Sequence, residues 1–226
     1  MLEERMTALK REILGYAGLV EDMIEKAVTG LLQKRHEMLT EVIEQYEPRA
    51  NALEIEMDDM CTALIAQYEP KARDLRTILM VLKMSNDFER MGDHAVNIAE
   101  SGLYLMERPP VKPYIDVPRM AEVTIKMLRD SITAFVNEDA VLAKNVCERD
   151  SIVDDLRIQL LRELITYMAS DPGTIERALH LIRVSGNLER IADLATNACE
   201  DVIFMVEGRV IKHHHFEEPD GPSTSN

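Results

Sequence analysis

The sequence has no tryptophan and few glycine or proline residues, with nine of each among 226 residues. Aromatic residues make up only 4% of the chain, whereas hydrophobic residues as a whole make up 46%. This composition is typical of a globular protein whose helices pack through leucine, isoleucine, valine and methionine. A chain of this length can form one large domain or two small ones, each with its own core.

Cysteine is also scarce, because Cys61, Cys147 and Cys199 are the only three and no two form a Cys-x-x-Cys pair. Their number and spacing argue against a disulfide framework and against a zinc site built from thiolates, so we expect reduced, partly buried thiols. No apolar run approaches the roughly 20 residues that cross a bilayer. The N-terminus is charged at residues 3, 4 and 5, unlike a signal peptide. We therefore expect a cytoplasmic protein.

Several chemical signatures are missing as well. The sequence contains no glycine-rich phosphate loop, no Walker motif and no Ser-His-Asp constellation, so nothing supports a hydrolase or a nucleotide-binding protein. The formal net charge of -15, without a basic stripe, argues against direct binding to nucleic acid or to anionic lipid. Such acidity fits a solvated surface, or a surface that takes cations or a basic protein partner.

The most informative feature that is present is a polar motif that occurs twice, 100 residues apart. Its first copy and its second copy consist of Glu89, Arg90, Asp93, Asn97, Glu100 and of Glu189, Arg190, Asp193, Asn197, Glu200. The match extends upstream through Leu79 and Leu179 and through Ser85 and Ser185, which indicates that one unit has been used twice. Because the recurring residues are three or four apart, they form a row along a helix.

Apolar residues at helical spacing predict six helices in two groups of three. The first group covers residues 7–34, 36–67 and 69–106; Pro48 should kink or break its second helix, and Pro70 should lie early in its third. A proline-rich linker follows at residues 108–113. The second group covers residues 118–136 and 138–168 and a third helix, opened by Asp171 as N-cap and Pro172, that ends near residue 206.

This pattern predicts an all-α fold made of two pseudo-symmetric, antiparallel three-helix bundles, since a bundle lets each helix bury one apolar face. We assign the first bundle to residues 1–109 and the second to residues 110–209. Residues 210–226 contain three consecutive histidines, which can bind transition metals adventitiously, and are expected to be a disordered tail.

The two motif copies predict acidic rows beside the apolar seams of their helices. Glu89 and Asp93, one turn apart, can both reach one cation or two neighbouring cations, and they repel each other when nothing is bound. The neighbouring helices carry acids at the same spacing, at Glu54, Asp58, Asp150 and Asp154. Carboxylate ligands suit magnesium, manganese, calcium or an iron cluster. Alternatively, these acids only decorate a solvated helix face, with Arg90 and Arg190 pairing locally.

The duplicated Glu-Arg-x-x-Asp-x-x-x-Asn, preceded by Pro70, Asp74, Leu75 and Arg76, resembles the PhoU family of regulators of bacterial phosphate uptake. The resemblance covers about residues 2–209. It implies two three-helix bundles, multinuclear sites for iron, zinc, manganese or magnesium, frequent homodimerisation, and negative control of phosphate signalling. It further implies contacts with the ATPase of the phosphate ABC transporter and with its sensor histidine kinase, and association with the membrane only through these partners.

By the same resemblance, particular residues receive roles. The implied metal ligands are Glu89, Asp93, Glu189 and Asp193, together with Glu54, Asp58, Asp150 and Asp154 on the neighbouring helices. The implied supporting residues around them are Asn97, Asn197, Arg90, Arg190, Glu100 and Glu200. The second half lacks the Asp-Leu-Arg element of the first, so the two halves can hold metal differently.

Four hypotheses for function follow. The favoured one is a metal-binding adaptor that passes on phosphate status without catalysing a reaction. A carboxylate-bridged metalloenzyme in a helical bundle is the first alternative, but no extra base, nucleophile or substrate loop accompanies the motifs. The others are a PhoU-like regulator of a different anion transporter and a helical scaffold whose acids only keep it in solution.

Overall fold

The structure, a computed structural model, describes residues 2–207. The predicted tail at residues 210–226 therefore lies outside the described residues. Every regular element in the described part is helical, and the α-helices are α1 (Leu2–Gln33), α2 (His36–Glu41), α3 (Glu47–Tyr68), α4 (Arg73–Met106), α5 (Asp116–Asn137), α6 (Ala140–Ser170) and α7 (Ile175–Glu207).

Helices α2 and α3 are joined without a break by a π-helical segment, Val42–Tyr46. Pro48 explains why a wider turn occurs here, because proline has no N–H to donate to the carbonyl four residues before it. The helix does not break at Pro48, because the hydrogen-bond ladder shifts by one residue and the Glu47 N–H donates to the Val42 carbonyl. The segment from α2 to α3 thus forms one continuous rod.

With that rod counted once, six helical rods form the two predicted three-helix bundles. The first contains α1, the α2–α3 rod and α4; the second contains α5, α6 and α7. The bundles pack on each other mainly through α4 against α7, and also through α1 against α5. Buried residues of both bundles form one continuous hydrophobic core. The all-α fold class predicted from the periodicity is confirmed.

Helices α4 and α7 run antiparallel, with polar contacts along their length. Lys83 near the start of α4 donates to Asp201 near the end of α7 at 2.9 Å, and Tyr104 near the end of α4 donates to Glu176 near the start of α7 at 2.6 Å. The two motif copies therefore lie on the two helices that join the bundles.

Several helix ends differ from the sequence prediction. Helix α1 begins at Leu2 and not at residue 7, and the ends of α5 and α6 lie one or two residues from their predicted positions. The third helix begins at Arg73 and not at Glu69, because Glu69 adopts a left-handed conformation (φ 45°) and Ala72 also has a positive φ of 46°. Asp171 caps a short 3₁₀ turn, Pro172–Thr174, by accepting from the Gly173 N–H at 2.9 Å, as its sequence context predicts.

The three cysteines are buried more completely than expected, since none is more than 4% exposed, and no two of them are bonded to each other. None of the helices within residues 2–207 combines the length and the apolar character needed to cross a membrane.

Candidate metal centre

The first acidic row brings together Glu54 of α3 with Glu89 and Asp93 of α4. The pKa of Glu89 is raised, first by burial and then by the negative charges of Asp93 and Glu54. Glu54 and Glu89 are half-buried, whereas Asp93 is exposed. No lysine or arginine nitrogen of the described chain lies within ion-pair distance of these three carboxylates. We call Glu54, Glu89 and Asp93 row one.

Tyr16 of α1 lies directly behind row one. Its side chain is fully buried, at 0% exposure, and its hydroxyl has no hydrogen-bond partner among the described residues. The pKa of Tyr16 is raised, first by burial and then by the charges of Glu54, Glu89 and Asp93, which indicates that the ring lies near all three. A buried hydroxyl without a partner is costly, so this position fits a neighbour that completes its hydrogen bonding.

The second acidic row brings together Asp154 of α6 with Glu189 and Asp193 of α7. The pKa of Glu189 is raised by burial first and then by Asp193, with a smaller contribution from Asp154. Each of these residues lies 100 positions after a member of row one, so the duplication extends from the motif helix to its neighbour. We call Asp154, Glu189 and Asp193 row two.

Row two differs from row one because arginine side chains contact it. Arg190 lies 3.1 Å from Asp193 and 3.7 Å from Glu189. Arg157 of α6 lies 3.6 Å from Glu189. In row one the corresponding Arg90 lies 3.6 Å from Asp87, one turn back, and not against a row carboxylate.

The rows fit hard cations by the chemistry of their donors. All six donors are carboxylates, the ligands preferred by magnesium, manganese, calcium and oxygen-bound iron, and neither row contains a thiolate or an imidazole. As they stand, no three His, Cys, Asp or Glu side chains within residues 2–207 are arranged so that they could hold a metal ion. Ligation would therefore require side-chain rotation or water ligands.

Two acids predicted as ligands lie outside the rows. Asp58, one turn after Glu54, is exposed and faces an open groove of about 500 Å³ that it shares with Asp87 and Asp201. Asp150, one turn before Asp154, is 8% exposed and lies near the Cys147 thiol, whose pKa is raised first by burial and then by the charges of Glu200 and Asp150. Their assignment as metal ligands stays a prediction.

Of the supporting residues, Asn97 and Glu100 contact the other bundle. The Asn97 amide donates to the Asp93 carbonyl at 3.0 Å, and its side-chain oxygen accepts from Arg183 of α7. Arg183 also lies 3.2 Å from Glu100. Asn197 is exposed on α7. Glu200, at the end of the second motif, lies near the buried Cys147 thiol, and its charge adds to the effect of burial in raising the pKa of Cys147.

Two histidines on the motif helices make packing and hydrogen-bond contacts between the bundles. His94 shares a hydrogen bond of 2.8 Å between its Nδ1 and the Asn187 side-chain oxygen across the bundle interface. Because the Asn187 amide already donates to the Arg183 carbonyl, His94 Nδ1 is the donor. His180 stacks on Tyr104 with ring centroids 3.9 Å apart. Neither contacts a row.

Comparison with known proteins agrees with the duplicated architecture. The model of the PhoU domain family matches residues 13–102 and again residues 117–202. The chain belongs to the PhoU family. A PhoU homolog from Aquifex aeolicus, described as a phosphate-specific transport system accessory protein, is 42% identical over 217 residues, covering 96% of this chain and 98% of that protein.

Solved PhoU structures share the fold. The crystal structure of PhoU from Pseudomonas aeruginosa superimposes with a TM-score of 0.89 at 33% identity, covering 92% of this chain and all of that one. PhoU from Streptococcus pneumoniae, described as a phosphate transport system regulatory protein, gives a TM-score of 0.88 at 27% identity, covering 94% of this chain and all of that one. Both PhoU repeats thus lie within a fold that the family shares.

Sequence reasoning missed two residues beside the rows of the PhoU repeats. Helical spacing places Tyr16 on the apolar face of the first helix, which agrees with its buried ring but says nothing about the surroundings of its hydroxyl. Arg157 follows Asp154 by three residues, and its counterpart at the same register is the buried Met57. A position-by-position alignment of the two halves reveals Arg157. The surroundings of the Tyr16 hydroxyl depend on tertiary packing, which the sequence does not show.

Proposed function

We propose that this chain is a regulatory adaptor of phosphate uptake that binds metal ions at its two acidic rows and catalyses no reaction. It acts as a negative regulator, linking the phosphate ABC transporter to its sensor histidine kinase in the cytoplasm. The names of the relatives, which describe accessory and regulatory proteins of phosphate transport, support the phosphate part of this proposal.

Metal binding is supported above all by the repetition of one carboxylate triad at the same register in both bundles. In each triad a half-buried glutamate has its pKa raised by burial and by neighbouring acids. Such mutual repulsion favours binding of a counter-charge. The partnerless hydroxyl of Tyr16 behind row one fits a hydrated ion nearby.

Each carboxylate of the two rows has a defined role. Glu54, Glu89 and Asp93 hold the ion in the first half, and Asp154, Glu189 and Asp193 hold it in the second. A bound cation supplies positive charge that removes the repulsion within the row. Manganese, magnesium and iron suit these oxygen donors better than zinc, which more often takes nitrogen or sulfur ligands.

Partner binding is supported by the charge of the surface. The groove beside row one is lined by four acids, Glu54, Asp58, Asp87 and Asp201, with Lys83 as its one basic residue in the described chain. Together with the net charge of -15, this groove favours a partner with basic side chains. We assign that partner to the transporter ATPase or the kinase. Homodimerisation is proposed on the family resemblance.

The regulatory role is tested by complementing a bacterium that lacks its own PhoU protein. In phosphate-rich medium, wild-type protein should repress a phosphate-starvation reporter. The double variant Asp93→Asn, Asp193→Asn should leave the reporter active, because each row loses a charge that binds the ion. Retention of the transporter ATPase or the kinase on the immobilised wild-type protein is measured in parallel.

The matched control is Asp59→Asn, Asp155→Asn, which removes two exposed acids on the neighbouring helices α3 and α6 and leaves both rows intact. This control should repress the reporter as the wild type does. Equal repression by the row variant and the control, at equal protein levels, would refute a role for the rows in regulation.

A further inference from the structure

The two acidic rows share their carboxylates but differ in the arginines around them. Row two has two guanidinium groups within 3.1 to 3.7 Å of Glu189 and Asp193. Row one has none within ion-pair distance in the described chain, although Arg90 stands at the same register as Arg190.

The residue three positions before the arginine explains this difference. In the first half that residue is Asp87, which holds Arg90 at 3.6 Å. In the second half it is Asn187, a neutral side chain already bonded to His94 and to the Arg183 carbonyl. With no acid behind it, Arg190 turns forward and contacts Asp193 and Glu189.

Arg157 adds a second positive charge to row two. Its side chain is 42% exposed and contacts Glu189, whose side chain is only 14% exposed. Met57, at the same register in the first half, is fully buried and carries no charge. The Arg157 guanidinium therefore offsets the cost of placing the Glu189 carboxylate in a largely buried position beside other acids.

We infer that the two rows differ in cation affinity, with row one the tighter site, and that Asp87 and Arg157 set the difference. This inference rests on the proposed metal binding. A cation entering row two must displace Arg157 and Arg190, whereas row one is open. Two partly exposed ion pairs of ordinary strength correspond to an affinity difference on the order of ten-fold.

The test uses full-length protein in which His213, His214 and His215 are replaced by serine, so that the tail binds no metal. Asp193→Asn leaves row one intact, and Asp93→Asn leaves row two intact. Calorimetric titration with Mn²⁺ should show tighter binding, by roughly ten-fold, in the protein that keeps row one. Circular dichroism establishes that both proteins are folded.

Second substitutions identify the residues responsible. In the protein that keeps row two, Arg157→Met should raise Mn²⁺ affinity several-fold. In the protein that keeps row one, Asp87→Asn should lower it, because Arg90 is released towards Asp93. Adding Arg90→Gln should restore most of the lost Mn²⁺ affinity. If Asp87→Asn lowered the affinity only by removing a negative charge, Arg90→Gln would not restore it.

The outcomes separate this inference from the proposed function. Equal affinities of the two rows, or no response to Arg157→Met, would overturn the inference and leave metal binding intact. Absence of Mn²⁺ binding in both single-row proteins and in the parent protein would instead overturn the proposed metal sites.

Discussion

At the scale of single residues, the residue one helical turn away determines which partner a charged side chain contacts. Asp87 and Asn187 occupy equivalent positions, yet one holds an arginine and the other bonds a histidine across the bundle interface. The surroundings of Tyr16 are also mixed, because its ring packs in the core while its hydroxyl lies near row one.

The Tyr16 hydroxyl should matter only when metal is bound. Without metal, Tyr16→Phe is expected to leave the free energy of unfolding unchanged or to raise it by about 1 kcal/mol, because the buried hydroxyl has no hydrogen-bond partner within residues 2–207. With Mn²⁺ the variant should gain less stability than the wild type. Urea unfolding with and without Mn²⁺ measures both effects. Tyr114→Phe, a half-buried tyrosine of the inter-bundle linker, is the control, and equal Mn²⁺ gains in all three proteins would contradict the prediction.

His180 should make stability depend on pH. Its pKa is lowered, first by burial and then by Arg183 and Arg108, with Glu176 opposing. The folded chain therefore favours the neutral imidazole, the unfolded chain binds the proton more readily, and stability falls as pH drops through about 6.5.

The variant His180→Phe keeps a ring to stack on Tyr104 but cannot titrate. Urea unfolding at pH 7.5 and pH 5.5 should show a smaller loss of stability in this variant than in the wild type. The same loss in both proteins would show that His180 does not contribute.

At the scale of helices, hydrophobic periodicity predicted the rods well because each packs one apolar stripe on the core. The predicted start of α4 lies four residues too early, because two positive-φ residues in the preceding turn depend on tertiary packing. Pro48 correctly predicted a missing backbone hydrogen bond in the second helical rod. The local sequence could not show that the helical hydrogen bonds would continue there as a π-helical segment.

Close packing of Leu39 in α2 explains why glycine occupies positions 30 and 102. A Cβ at Gly30 would lie 2.7 Å from Leu39 Cδ2, and Leu39 is itself confined by Gly102. Gly30→Ala should therefore destabilise the fold by roughly 1–3 kcal/mol through overpacking. Gly186→Ala in α7 meets nothing within 4 Å and should stabilise it by up to about 1 kcal/mol. Thermal unfolding of both variants is the measurement, and a stabilising Gly30→Ala would contradict the packing described.

At the scale of the whole molecule, the duplication predicted the two rows but not their full environment. The 100-residue register correctly related the motif helices, and it also selects Glu54 and Asp154 from the four acids proposed on the neighbouring helices. The positions of Asp58 and Asp150 outside the rows, and of Asn97 and Glu100 at the bundle interface, depend on how the bundles pack. Sequence spacing within one helix carries no information on that packing.

The central claim is that each half of the chain holds metal on its own row. Native mass spectrometry of the protein with the tail histidines replaced, after loading with Mn²⁺, tests this most directly. We predict bound metal on the parent protein, fewer ions on Asp93→Asn and on Asp193→Asn, and none on the double variant. The same number of ions on the parent protein and the double variant would contradict the claim.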